Sequence, residues 1–251
     1  MHRRHKKPYA VIFIAILLLV VSGALWDMHK LENPDIEPKV ALRYHFVDDA
    51  GDFARLPRDT SPLFMKVGAM ERHENGDYAL LNNDIEPITL PQREVNIVIS
   101  FADLPDGMAS FGMAIEREIT RWKRKNNKIV EIVLDWQTDK PDTARLLAAA
   151  TALRQRLKLD YWVGITLRRA WFENDPAQLE SLAGVRPDGV RSYVYSIPEA
   201  AKDGETLAQT LGALDAFGIP YLLRVQEPPS PKEAQQLIDS HEKLVGFIGQ
   251  P

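Results

Sequence analysis

EIVLDWQTDKPDTARLL, residues 131–147, decides the fold. The apolar run Ile129–Leu134 is too continuous for a strand with one wet face, and reads as a parallel strand covered on both sides. Asp135, Trp136, Gln137 and Asp139 follow, and Pro141 then opens a helical pattern with Leu146, Ala150, Leu153 and Leu157 on one face. A buried strand, a polar turn and an amphipathic helix make the repeating unit of an α/β fold.

The same unit recurs on both sides of this stretch. β-type runs stand at 40–46, 63–69, 95–101, 129–135, 161–167, 190–195, 221–225 and 244–248, eight candidate strands in all. Between them lie helices with legible ends. Ser230, Pro231 and Glu233 form a capping box with proline at the first helical position. Leu207, Leu211, Leu214 and Phe217 line another helix, which Gly218 terminates, and Ile115, Ile119 and Trp122 line a third. Right-handed crossovers between eight parallel strands predict a TIM-like (β/α)8 barrel. Its N-terminal third is expected to be irregular or incomplete, because no amphipathic helix is visible between Phe46 and Leu63 or between Ala69 and Val95. RHENGDYALLN, from Arg72, reads there as a hairpin around Asn75-Gly76, with a type I′ turn.

Upstream of the barrel, Arg3, Arg4, Lys6 and Lys7 precede an apolar stretch from Tyr9 to Trp26. A basic start and an apolar helix read as an export signal. Ser22 and Ala24 offer a small-x-small cleavage site, while the length of the segment also suits a retained membrane anchor. The expected organisation is a signal peptide or anchor at 1–26, a polar tether at 27–39 and the barrel at 40–251. The domain is then periplasmic, held at the inner membrane or released by cleavage. Without the four leader residues, 27 of the 31 Lys and Arg stand against 35 Asp and Glu, a net charge of −8. An acidic domain argues against nucleic acid as a partner. There is no cysteine, so neither a lipidated cysteine nor a disulfide contributes.

In such a barrel the functional groups gather at the C-terminal ends of the strands. Those ends carry Tyr44 and His45, Ser100 and Asp103, Asp135, Gln137 and Asp139, Arg168, Arg169 and Trp171, Tyr193 and Tyr195, and Arg224 and Gln226. A rim of aromatic, acidic and cationic side chains is suited to sugars, whereas phosphate sites more often show glycine-rich loops. Glycoside cleavage needs a protonated carboxyl and a second stabilising group. Asp139 is the candidate acid and Asp135 its electrostatic partner, since residues two apart share a face if the strand runs that far. Gln137, Arg168, Trp171, Tyr193, Tyr195, Arg224 and Gln226 are the candidate substrate-binding residues. Structural alternatives stand beside these roles. Asp139 or Asp142 could cap the following helix, and Asp135 could form a structural pair with Arg168 or Arg224. Trp122, Trp136 and Trp162 read as core, and His241 as a helix-end contact. No metal-ligand spacing, P-loop, dinucleotide fingerprint or Ser-His-Asp order is present, so no metal or cofactor is expected.

IVLDWQTD resembles the catalytic strand of glycoside hydrolase family 18, whose motif is D-x-x-D-x-D-x-E. Asp135 matches the second acidic position, Gln137 stands at the third and Asp139 replaces the final Glu. YVYS resembles the tyrosine-bearing strand of that family, which implies that Tyr193 or Tyr195 lies near a substrate's acetamido group. The run from Ile132 to Val225, with GITLRRAW and VRSYVYS, is similar to a bacterial family of exported barrel domains of unassigned function. The resemblance implies an exported glycan-acting protein that hydrolyses or only binds an envelope polysaccharide, or else a non-catalytic interaction module on a degenerate glycosidase barrel.

Overall fold

The computed structural model describes residues 42–82, 85–90, 92–158, 160–168, 170–171, 190–196, 211–212, 214–216, 220–226 and 229–251, with backbone alone over 190–196. All belong to one compact unit spanning Val40–Pro251. The export segment and the tether lie outside the described residues, as do Arg169, Leu207 and Phe217. Among the described residues no helix is long and apolar enough to cross a membrane.

Over much of the described chain strand and helix alternate as expected. Its elements are β1 (Leu42–Val47), α1 (Ala50–Arg55), β2 (Leu63–Arg72), β3 (Tyr78–Asn82), β4 (Glu94–Phe101), α2 (Ala109–Lys123), β5 (Lys128–Trp136), α3 (Thr143–Arg156), β6 (Trp162–Leu167), β7 (Val190–Ser196), β8 (Tyr221–Val225), α4 (Pro231–Ser240) and β9 (Leu244–Gly249). The sheet runs β1-β9-β8-β7-β6-β5-β4-β2-β3, and β1 also pairs with β2. That last pairing is parallel and aligns His45, Phe46 and Val47 with Leu63, Phe64 and Met65, so eight parallel strands close into a ring. The (β/α)8 barrel is therefore complete in its strands.

Irregularity in the N-terminal third lies in the covering layer. Between β1 and β2 stands α1, too short to show an apolar period. Its N-cap Asp49 accepts a hydrogen bond from the Asp52 N–H at 2.9 Å. Between β2 and β4 the antiparallel strand β3 replaces a helix. The hairpin turn differs in detail from expectation. The Gly76 N–H bonds His73 O at 2.9 Å, and Gly76 alone has positive φ, 84°, while Asn75 does not. The turn is thus centred on Glu74 and Asn75 with a left-handed glycine after it, and a type I′ turn would need positive φ at both central residues.

Two apolar layers hold the barrel. Outside the sheet, Ile115, Ile119 and Trp122 of α2 and Leu146, Ala150 and Leu153 of α3 pack on Ile97, Ile99, Ile132, Leu134, Val163 and Ile165. Inside, a smaller cluster comprises Phe46, Phe64, Val98, Val133, Leu222 and Ile248, with Tyr44 and Val245 against it. Tyr44 meets Phe64 edge-on at 5.3 Å. Helix ends follow their sequence signals. Asp142 caps α3 through the Arg145 N–H at 3.0 Å, and the Ser230–Glu233 capping box closes α4. His241 does not act on a helix dipole alone but pairs with Asp215 at 2.7 Å. Trp122 and Trp136 are core residues, whereas Trp162, at the first position of β6, is 42% exposed. The apolar pattern of that strand extends to a residue that sits at the barrel opening, past its cover.

Phe64→Ala should cost roughly 3–5 kcal/mol, because Phe64 is fully buried in the interior cluster and its removal leaves a cavity. Asp142→Ala should cost only about 1 kcal/mol, the value of a helix cap. Urea denaturation of both variants checks the ranking.

Candidate functional site at the C-terminal mouth

Strand alternation builds the site from the interior cluster. Two residues beyond members of that cluster, on the same strand face, stand Lys66 after Phe64, Ser100 after Val98, Asp135 after Val133 and Arg224 after Leu222, and Asp48, one residue past β1, is held among them by Lys66 and Arg224. The apolar plug is thus roofed by a polar layer at the C-terminal mouth, where barrel sites lie.

Asp135 is the most enclosed carboxylate of this layer, its side chain 14% exposed. β4 and β5 place Ser100 beside it in register. The Ser100 hydroxyl donates to Oδ2 at 2.8 Å, and the Gln137 amide donates to the same oxygen at 2.6 Å. Arg168 Nη2 lies 3.7 Å from Oδ1, and Arg168 Nε donates to the Trp136 carbonyl at 2.9 Å. Both Asp135 oxygens therefore face donors. Across the mouth, Asp48 lies 3.3 Å from Lys66 Nζ and 3.7 Å from Arg224 Nη2. Its backbone N–H donates to Asp52, a buried carboxylate on α1 that also pairs with Arg55. The short helix thus anchors the loop that carries Asp48. The Arg224 guanidinium sits 3.4 Å above the Phe46 ring centre. Burial pushes the Arg224 pKa down, and Asp48, Asp135 and Asp52 oppose that shift. Arg224 thereby links the two carboxylates electrically.

Asp139 does not share this layer by strand alternation. β5 ends at Trp136, and the Thr138 N–H turns back to Trp136 O at 3.0 Å, so the two-residue period stops before Asp139. Asp139 is exposed in the bend that follows, and the helix cap belongs to Asp142. Gln226 is exposed one residue past β8. Trp171 offers no face to a ligand. It is fully buried, donates from its indole N–H to Thr138 O at 2.6 Å and meets Trp136 edge-on at 6.3 Å. It belongs to an aromatic chain, Tyr78–Phe111–Phe101–Trp136–Trp171, that supports the loops from below. Tyr193 pairs in register with Ile165 and Tyr221, and Tyr195 with Leu167 and Leu223. Their side chains lie outside the described residues. His45, on the opposite phase of β1 from Phe46, bonds Asp59 at 3.0 Å. Asp48 and Lys66 were missed from the sequence. The lysine sits inside an apolar run and the aspartate beyond one, and only the pairing with the interior cluster exposes them.

Among the described residues no group of three or more His, Cys, Asp or Glu side chains is arranged to hold a metal ion. No protein-family model and no curated protein matches the sequence. Solved structures do share the fold. A family 18 chitinase from Crocus vernus matches with a TM-score of 0.52 and 11% identity, over 83% of this chain and 92% of that one. The catalytic domain of a family GH18 chitinase from the fern Peteris ryukyuensis matches with a TM-score of 0.53 and 11% identity, over 82% and 90%. What the two structures share with this chain is the fold, a TIM barrel.

Asp135→Ala should destabilise the protein by about 2 kcal/mol, because it strips acceptors from Ser100, Gln137 and Arg168. The cost stays below that of a fully buried pair, since Arg168 is partly solvated. Asp135→Asn should cost less. A loss under about 0.5 kcal/mol for the alanine variant in urea denaturation would mean that the carboxylate anchors nothing.

Proposed function

We propose that the protein is an exported glycan-binding barrel whose ligand seats on the polar layer above the interior plug. One observation carries the reading: acceptor and donor groups alternate around a single mouth, with Asp48 and Asp135 against Lys66, Arg224 and Arg168. Sugar hydroxyls both donate and accept, so a ring of carboxylates and cations satisfies them from every side. The shared fold with chitinases favours a polysaccharide over other polyols, and chitin oligosaccharides are the first probes.

Binding is preferred to hydrolysis because Asp135 already accepts from two donors and Asp139 is exposed in the bend beyond β5. A hydrolase reading is favoured by Asp48 and Asp135 flanking one guanidinium, two carboxylates at one mouth as glycosidases use. A glycan array followed by calorimetry and a hydrolysis assay separates the two. Under the binding reading, Lys66→Ala and Arg224→Ala each lower affinity at least about 10-fold, as expected for a charge-assisted hydrogen bond. Asp139→Asn then leaves affinity unchanged, with no turnover in any variant. Turnover in the wild type that Asp139→Asn reduces by about 10²–10⁴ assigns Asp139 as general acid and replaces the binding reading.

Export rests on the basic leader and the apolar segment from Tyr9 to Trp26. Alkaline phosphatase fused after Pro251 should be active in intact cells. Activity of a cytoplasmic reporter at the same point, with an inactive phosphatase, contradicts export.

A further inference from the structure

The opposite end of the barrel has a different chemistry. β5 and β6 begin there and α2 and α3 end there, because each helix runs back along the strand it follows. From Arg117 to Lys128 the chain carries six Lys and Arg and one acid, the buried Glu118. The end of α3 adds Arg154, Arg156 and Lys158. Against these nine bases stand Glu86, Glu94, Glu116, Glu118, Glu131 and Asp160, so the sector keeps a net charge of +3 in a chain of net −4.

Contacts across elements make this one surface. Lys123 donates to the Tyr161 hydroxyl at 3.1 Å, joining the end of α2 to the start of β6. Arg156 pairs with Glu116 at 3.2 Å, joining α3 to α2. Beside them Trp162 is 42% exposed, with the Arg154 guanidinium 4.3 Å from its ring centre. Arg124, Lys125 and Lys158 are exposed.

We propose that this basic, tryptophan-bearing end of the barrel docks on the headgroups of an anionic phospholipid bilayer. Lys and Arg near such a surface are attracted by its negative potential, and tryptophan rings settle at headgroup level. A plane meets only the basic end, whereas a flexible polyanion would also meet the acidic remainder of the chain. The proposal stands on charge and placement and is independent of the ligand at the opposite mouth.

The test is sedimentation of the full-length chain with vesicles of phosphatidylcholine alone or mixed with phosphatidylglycerol, at low and high salt. The neutral vesicles set the baseline for any insertion of the N-terminal segment. The expected result is a phosphatidylglycerol-dependent increment that high salt removes. In the triple variant Arg124→Glu, Lys125→Glu, Lys158→Glu the increment falls at least about 100-fold, since each basic residue near an anionic surface is worth roughly fivefold. Trp162→Ala weakens the same increment, and an unchanged melting temperature shows that the variants fold. Equal binding to both vesicles overturns the proposal, as does an increment that survives the triple reversal. The salt series on the unaltered chain decides even if a variant fails to fold. Tighter binding to a single-stranded oligonucleotide than to the anionic vesicles assigns the surface to another polyanion and also overturns it.

Discussion

The interior plug of Phe46, Phe64, Val98, Val133, Leu222 and Ile248 is the constraint from which the site follows. Eight parallel strands leave a core just wide enough for side chains to fill, and among the described residues six of them contribute apolar groups to it. The strand period is two, so the plug dictates which later residues share its face. Polar residues at those positions would be costly one layer lower, where no water reaches. One layer higher they meet solvent and one another. The mouth is polar because the plug beneath it is dry.

Arg224 is where the two layers meet. Its guanidinium lies over the Phe46 ring with Nη2 3.7 Å from Asp48, so one side chain spans the apolar plug and the charged layer. A planar, weakly hydrated cation tolerates this position better than an ammonium would. Burial weakens its hold on the proton while three carboxylates strengthen it. The opposed tendencies tie the stability of the layer to the presence of its acids. Removing a single acid leaves a partly desolvated cation with less compensation, and replacing the cation and its acid together by apolar groups costs less than either change alone. Ion pairs at 3.7 Å, longer than hydrogen bonds, hold these groups without closing them on each other.

Legibility in the sequence followed the strength of each local signal. Eight apolar runs became the eight strands of the ring, because burial on both faces leaves a continuous pattern that little else produces. α1 was invisible at six residues, since less than two turns cannot display a period. Asp139 was drawn toward Asp135 by extending the strand alternation. The backbone bond from Thr138 to Trp136 ends that alternation, and no residue type announces such a turn. Trp171 follows a strand among polar neighbours, which suggested a rim position. Its indole N–H found a carbonyl partner underneath the loop, so the polar handle serves burial. Asp135, Arg168 and Arg224 were readable because a charge at the end of an apolar strand needs a partner. Asp48 and Lys66 required knowledge of which strand faces which.

The two ends of the barrel answer to different demands on the same strands. At the C-terminal end the charges alternate in sign and neutralise one another, and such a layer acts through directed hydrogen bonds at short range. At the N-terminal end, in the sector of α2, α3, β5 and β6, nine bases outnumber the neighbouring acids, and most of that excess is exposed. Uncompensated charge acts at long range and costs self-repulsion, so its concentration on one end is not what solubility alone requires. The separation is possible because the plug and the outer core isolate the ends from each other. Asn96 and Glu131, below the plug on adjacent strands, are buried as well. A ligand at one mouth and a surface at the other can therefore be engaged together, with the rigid ring setting the distance between them.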